Sequence, residues 1–247
     1  MNRIIHLNHN SKNTKLKPDV SDDQEFTEFL KNESREAEMT YSLSFQDARV
    51  YMPLNYEPNY AYPLIVYLQG REGSTSEYQY LMEQISTQNH LAIELDLDDK
   101  TRLSSDNVMQ QIQEAVSQMS RHYNVHTERI LVMGDRHRGS LAMKTVLSHP
   151  ESFWGFIALN PDQSEQDCLL NQFRHLHRLR GFLHSETDNS WIQNYSRLLH
   201  DSGLNIHLDQ TTSKPDSQQF SCADERVCRL IDRFIVQGIW ESYSEFK

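Results

Sequence analysis

The chain has 247 residues, which is enough for one α/β domain with a full core, whereas two independent domains would each be small. Its 24 Lys and Arg against 35 Asp and Glu give a net charge of −11, a field that repels phosphate backbones and anionic surfaces, so neither nucleic acid nor a membrane is an expected partner. Cys168, Cys222 and Cys228 form no Cys-x-x-Cys pair and are odd in number, which argues against a disulfide framework or a cysteine zinc site and fits reduced thiols in a cytosol.

In chain order, Met1 to His6 carries one positive charge and no apolar stretch of signal-peptide length, so a soluble, non-exported, cytoplasmic protein is expected. Residues 1–40 are rich in Asn, Lys, Asp and Glu, with Phe26, Phe29 and Leu30 as a short apolar group. This reads as a poorly ordered polar extension holding at most one short helix, because it buries too little apolar surface to offset ordering entropy. The domain proper is expected over 41–247.

From Tyr41 the texture changes. Tyr41 to Phe45 alternates and Ala48 to Met52 follows, which predicts antiparallel strands closed by a turn at Pro53 to Asn55. Strand runs and helical patterns then take turns. Leu64–Leu68 and Leu91–Leu95 predict buried strands. Val108, Ile112, Ala115, Val116 and Met119 recur at helical spacing, Ile130–Met133 is the next strand, and Leu141–Leu147 is a helix. Phe153–Leu159 and Gly181–His184 are strands, and Trp191, Tyr195, Leu198 and Leu199 mark one face of a helix stopped by Gly203. Asn205–Leu208 closes the sheet, and Val227, Leu230, Ile231, Phe234 and Ile235 face inward from a last helix. Such alternation predicts a mostly parallel central sheet covered by helices on both faces.

Two segments carry a family resemblance. Val50-Tyr51-Met52-Pro53 followed by Tyr62-Pro63-Leu64-Ile65-Val66-Tyr67-Leu68-Gln69-Gly70 resembles the opening of α/β-hydrolase esterases of the dienelactone-hydrolase and phospholipase/carboxylesterase branch, which read "Y-P-L-x-V-x-L-H-G-G-G" here. His149-Pro150-Glu151-Ser152-Phe153-Trp154-Gly155-Phe156-Ile157-Ala158-Leu159 is similar to that family's "HP-x-x-F-x-G-x-I-A-L". The likeness spans about 41 to 240. It implies a single α/β-hydrolase-fold domain with a sharp strand-to-helix turn after Ile130–Met133. That turn needs small residues two places before and two places after a nucleophile.

At the turn the chain reads Gly134-Asp135-Arg136-His137-Arg138-Gly139, so the resemblance puts Arg136 in the nucleophile slot, with Gly134 small and Arg138 not. A guanidinium stays protonated and has no lone pair with which to attack. His184-Ser185-Glu186-Thr187-Asp188 resembles the family's "HGxxD" and places Asp188 in the acid slot. The histidine slot falls between Leu208 and the last helix, where no histidine occurs and Asp224 is the nearest match. A carboxylate there would need a large pKa rise to replace an imidazole as base. Gln69-Gly70-Arg71-Glu72-Gly73 stands in place of the "H-G-G-G" oxyanion segment, although Gly70 and Gly73 keep backbone donors available.

Other nucleophiles fit less well: Asp135 would put Met133 and His137 at the small positions, and Ser140 lies inside the helix. Arg136 and Arg138, with Gly70 and Arg71 from the neighbouring loop, are candidate contacts for a small anion at a helix N-terminus. The more economical alternative is that Arg136 pairs with Asp188 or Asp224. His175 with His177, His122 with His126, and the acidic Glu94 to Asp99 run are weak metal candidates; solvated helix ends and a solvated strand-end loop account for them better. No cofactor and no metal is expected. The expected function is that of a catalytically inactive hydrolase-fold protein that binds a small anion or a protein partner, a second copy of itself included. The alternative is an active carboxylic-ester hydrolase with a non-standard catalytic arrangement.

Overall fold

The computed structural model describes residues 3–6, 49–69, 75–97, 104–163, 173–211 and 224–244. The strands are β1 (Arg3–His6), β2 (Arg49–Met52), β3 (Tyr62–Gln69), β4 (Leu91–Asp96), β5 (Val125–Asp135), β6 (Gly155–Leu159), β7 (Arg180–Ser185) and β8 (Asn205–Gln210). The helices are α1 (Thr75–Ile85), α2 (Ser105–His122), α3 (His137–Ser148), the single turn α4 (Phe173–Leu176), α5 (Ser190–Asp201) and α6 (Glu225–Ser244). They build one eight-stranded sheet of order β1-β2-β4-β3-β5-β6-β7-β8. β2 runs antiparallel to β4, pairing Val50 with Ile93, and every pairing from β4 to β8 is parallel.

Parallel strands need crossovers, and the near-continuous apolar runs of β3 to β7 are what a sheet covered on both faces requires. Side chains alternate along each strand. Tyr51, Ile65, Ala92, Leu131, Met133, Ile157, Leu159 and Phe182 pack in one cluster with Tyr78, Leu81, Met82 and Ile85 of α1 and Val227, Ile231, Phe234 and Ile235 of α6. The intervening residues face the other way, where α2 buries Val108, Met109, Ile112, Ala115 and Met119, and α3 packs beside it. Ser104 caps α2 by accepting from the Asn107 amide, and Asn189 caps α5 by accepting from Trp191.

Several sequence expectations need adjusting. α1 was not among the predicted helices. On α5 the buried face is Ile192, Tyr195, Ser196 and Leu199, with Leu198 half exposed, because the helix lies against β8 one residue out of the predicted phase. Glu94 is a buried strand residue, not part of a solvated loop; it faces α1 and pairs with Arg49 of β2, whose Nη2 also donates to Gln69 at 2.6 Å. Gly203 does take the left-handed conformation of a helix stop, at φ 96°, and Asn55, at φ 58°, makes the turn after β2. Arg3–His6 adds a short strand at the start of the stretch expected to be a polar extension. The rest of that extension, the Tyr41–Phe45 strand, Cys168 and Cys222 lie outside the described residues.

Candidate functional site

In a doubly wound sheet a crevice opens beyond the strands' carboxyl ends where the chain reverses its winding direction. Here β4 follows β3 on one side and β5 returns on the other, so that point lies between β3 and β5. The β5–α3 turn stands there. Its tip is Arg136, at φ 49° and ψ −120°, a backbone conformation that side chains rarely adopt and that costs on the order of 1–3 kcal/mol. It is held on both sides: the Arg136 amide donates to the Leu159 carbonyl at 2.8 Å, and its own carbonyl accepts from Ser140 at 3.0 Å.

Gly134 and Gly139 make this turn possible. A Cβ on Gly134 would collide with the Arg138 carbonyl, and one on Gly139 would stand 2.9 Å from the Gly134 oxygen and 3.0 Å from that of Leu159. The close approach on the helix side therefore falls at 139 and not at 138. That is why the turn forms although Arg138 is large. The Arg138 side chain is buried and reaches away to the end of β4, donating from Nη2 to the Leu97 carbonyl at 2.8 Å.

Hydrogen bonds between strand ends make the rim of the crevice stiff. Asn160, at φ 43°, donates from its amide to the His184 carbonyl at 2.7 Å, and its side-chain oxygen accepts from the Glu186 amide at 3.0 Å. The Thr211 amide donates to the Ser185 carbonyl at 3.1 Å. Along this rim the charges alternate. Arg136 Nε lies 3.9 Å from Asp135 Oδ2, and the Arg136 side chain is 58 % exposed. Burial raises the Glu186 carboxyl above its usual pKa; Asp135 and Asp224 push it in the same direction, while His184 and Arg136 oppose it.

Beneath the rim His184 of β7 sits opposite Asp209 of β8 in the strand register. Its Nδ1 lies 2.8 Å from Asp209 Oδ2, a bond that requires the proton on Nδ1 because an ionised carboxylate has none to donate. Arg226, in the first turn of α6, donates to both Asp209 oxygens at 3.0 and 2.7 Å and to Thr211 Oγ1. Burial alone would raise the Asp209 pKa. The bonds from Arg226 and His184 outweigh it and hold the carboxyl below its usual range. The unit is an imidazole, a carboxylate and a guanidinium that lock α6 to the sheet. In the sequence His184 stands out only as part of a motif; the signal for the unit is that His184 and Asp209 each stand one position before the polar last residue of their strands.

The remaining sequence candidates take other partners. Asp188 is exposed and accepts from Gln193 Nε2 at 2.7 Å. Asp224 caps α6, its Oδ1 accepting from the Arg226 amide at 2.9 Å and its carbonyl from Cys228. Ser140 is buried, with Oγ donating to the Asp162 carbonyl at 2.8 Å. Gly70 and Arg71 lie outside the described residues. Among the described residues no group of three His, Cys, Asp or Glu is placed to hold a metal ion. Cys228 is buried in the α6 core, where desolvation pushes its thiol up to about 11.

No protein-family model matches the chain, and no curated protein matches it in sequence. Solved structures do. An esterase of Rhizomucor miehei superposes with a TM-score of 0.58 at 10 % identity, covering 77 % of this chain and 80 % of the other. An esterase of the archaeon Pyrobaculum calidifontis gives 0.55 at 14 % identity, over 77 % and 81 %. A fluorophosphonate-binding serine hydrolase of Staphylococcus aureus gives 0.55 at 11 % identity, over 76 % and 92 %. At such identities the likeness concerns the fold: this chain has an α/β-hydrolase-type fold.

Proposed function

We propose that this protein keeps the hydrolase-type scaffold without serine hydrolase chemistry and works by binding. The observation that carries the reading is the arginine at the strained tip of the β5–α3 turn. The backbone there has the sharp form that presents a nucleophile in this type of fold, and the side chain it presents has no lone pair. Support also comes from the supporting residues: Asp188 and Asp224 are engaged with Gln193 and with the α6 amides, and His184 is tied to Asp209. In this reading these contacts hold the loops and α6 in place and do not serve as a proton relay.

The half-exposed Arg136 guanidinium, at the N-terminus of α3, suits a single carboxylate or phosphate group of a small ligand. Asp135 and Glu186 beside it disfavour a multiply charged one. Two measurements test this. A panel of p-nitrophenyl esters is expected to show no turnover above background for the natural sequence or Arg136→Ala; robust turnover abolished by that substitution overturns the reading in favour of an active hydrolase of unusual mechanism. Small monocarboxylates are expected to raise the melting temperature of the natural protein and not of Arg136→Ala, through linkage of binding to folding. Equal shifts in both proteins remove Arg136 as the contact.

A further inference from the structure

We infer that the β8 edge of the sheet is a self-association surface, through which two copies of this chain pair antiparallel about a two-fold axis near Leu208. Half of the backbone groups of β8 point away from β7. The Asn205 amide donates to Leu179 and the Thr211 amide to Ser185, so the odd-numbered residues turn their N–H and C=O toward β7. By the alternation of a strand, Ile206, Leu208 and Gln210 turn theirs outward. β8 is the last strand in the sheet order. Its sequence, Asn-Ile-His-Leu-Asp-Gln, has no Pro and no Lys, the residues that commonly blunt such an edge.

A groove of about 310 Å³ runs beside this edge, lined by Ile206 and Leu208 from the strand and by Ser196, Arg197, His200 and Asp201 from α5. Leu198 on the same helix is 52 % exposed. A two-fold contact must be self-complementary, and this surface is: Arg197 and Asp201 lie one helical turn apart, so the axis that sets two α5 helices antiparallel brings each arginine to the aspartate of the second copy. The charge of −11 opposes association at long range. Locally the opposite signs on α5 offset it. With Leu208 opposite Leu208, and Ile206 opposite Gln210, the outward groups form about six hydrogen bonds and the two sheets become one.

The test is sedimentation velocity on the full chain over a range reaching tens of micromolar. The expected result is a species of twice the 29.1 kDa chain mass. Leu208→Pro removes an outward N–H that β7 does not use, and is expected to leave the far-ultraviolet spectrum unchanged while giving monomers. Arg197→Asp is expected to weaken the dimer at least tenfold, and Arg197→Asp combined with Asp201→Arg to restore it. That rescue does not depend on how Leu208→Pro folds. A natural protein that stays monomeric over this range, or a dimer indifferent to all three variants, overturns the inference.

Discussion

At the scale of single residues, the proposed function turns on Arg136, and its backbone is as informative as its side chain. A non-glycine residue at φ 49° and ψ −120° is strained, and Gly139 and the Leu159 carbonyl fix it there. Arg136→Gly relieves the strain and gives up only a half-exposed side chain, against which stands the greater backbone entropy glycine loses on folding, about 0.5–1 kcal/mol. The net expectation is a stabilisation of about 1 kcal/mol in urea unfolding. A loss of stability would mean that the guanidinium contacts outweigh the strain. The identity of this residue was legible in the sequence, because the flanking strand and helix set the register. The roles of its expected partners were not: whether Asp188 and Asp224 meet Arg136 or a glutamine and a helix N-terminus depends on loop paths that no periodicity encodes.

At the scale of elements, α6 is held to the sheet at both ends, by Arg226 on Asp209 near its start and by Arg180 near its finish. Arg180 of β7 is buried; its Nη1 donates to Glu241 at 2.8 Å, its Nη2 to the Phe234 carbonyl, and its guanidinium lies over the rings of Trp154 and Phe234. Gly238 is what lets the helix come so close. A Cβ there would collide with Arg180 Nη1 and stand 2.5 Å from Trp154 Cζ2. Ala gains about 1 kcal/mol over Gly in helix propensity, whereas overpacking against a pinned side chain costs about 1–3 kcal/mol. Gly238→Ala is therefore expected to lower the urea midpoint in spite of its better propensity, and a raised midpoint would show that Arg180 moves freely. Long buried strands and the amphipathic α2 and α6 announced themselves in the sequence. α1 did not, although Tyr78, Leu81, Met82 and Ile85 have helical spacing, because the exposed Tyr80 blurs the stripe.

At the scale of the whole molecule, two buried groups shape the response to pH with opposite signs. His90 is fully buried against Tyr51, with neither ring nitrogen bonded among the described residues, and desolvation lowers its pKa from 6.5 to about 3. A base so lowered contributes stability that is complete above pH 6.5 and is lost as the pH falls toward 3, since the unfolded chain takes up the proton first. Burial raises Glu94 to about 7, with Arg49 pulling it down and Asp96 pushing it up. That contribution is complete below pH 4.5 and is lost as the pH rises through 7. Between 4.5 and 6.5 the two offset each other. His90→Phe removes the acid-side loss, so its melting temperature is expected to exceed that of the natural protein by a margin that widens as the pH falls from 7 to 4. A margin constant across that range would show that His90 takes up its proton as readily in the fold as in the unfolded chain.

The fold class followed from strand-helix alternation because a parallel sheet buried on both faces leaves a strong apolar pattern. The function of the strand-end site rests on a few polar side chains, for which the sequence supplies identities and not pairings. The most direct test of the central claim is reaction with a fluorophosphonate, which phosphonylates an activated serine, followed by intact mass measurement of the full chain. The unmodified mass is expected, for the natural sequence and for Arg136→Ser alike, since the segment between β8 and α6, from which the resembled esterases draw their base, has no histidine. A stoichiometric adduct on the natural protein would contradict the account.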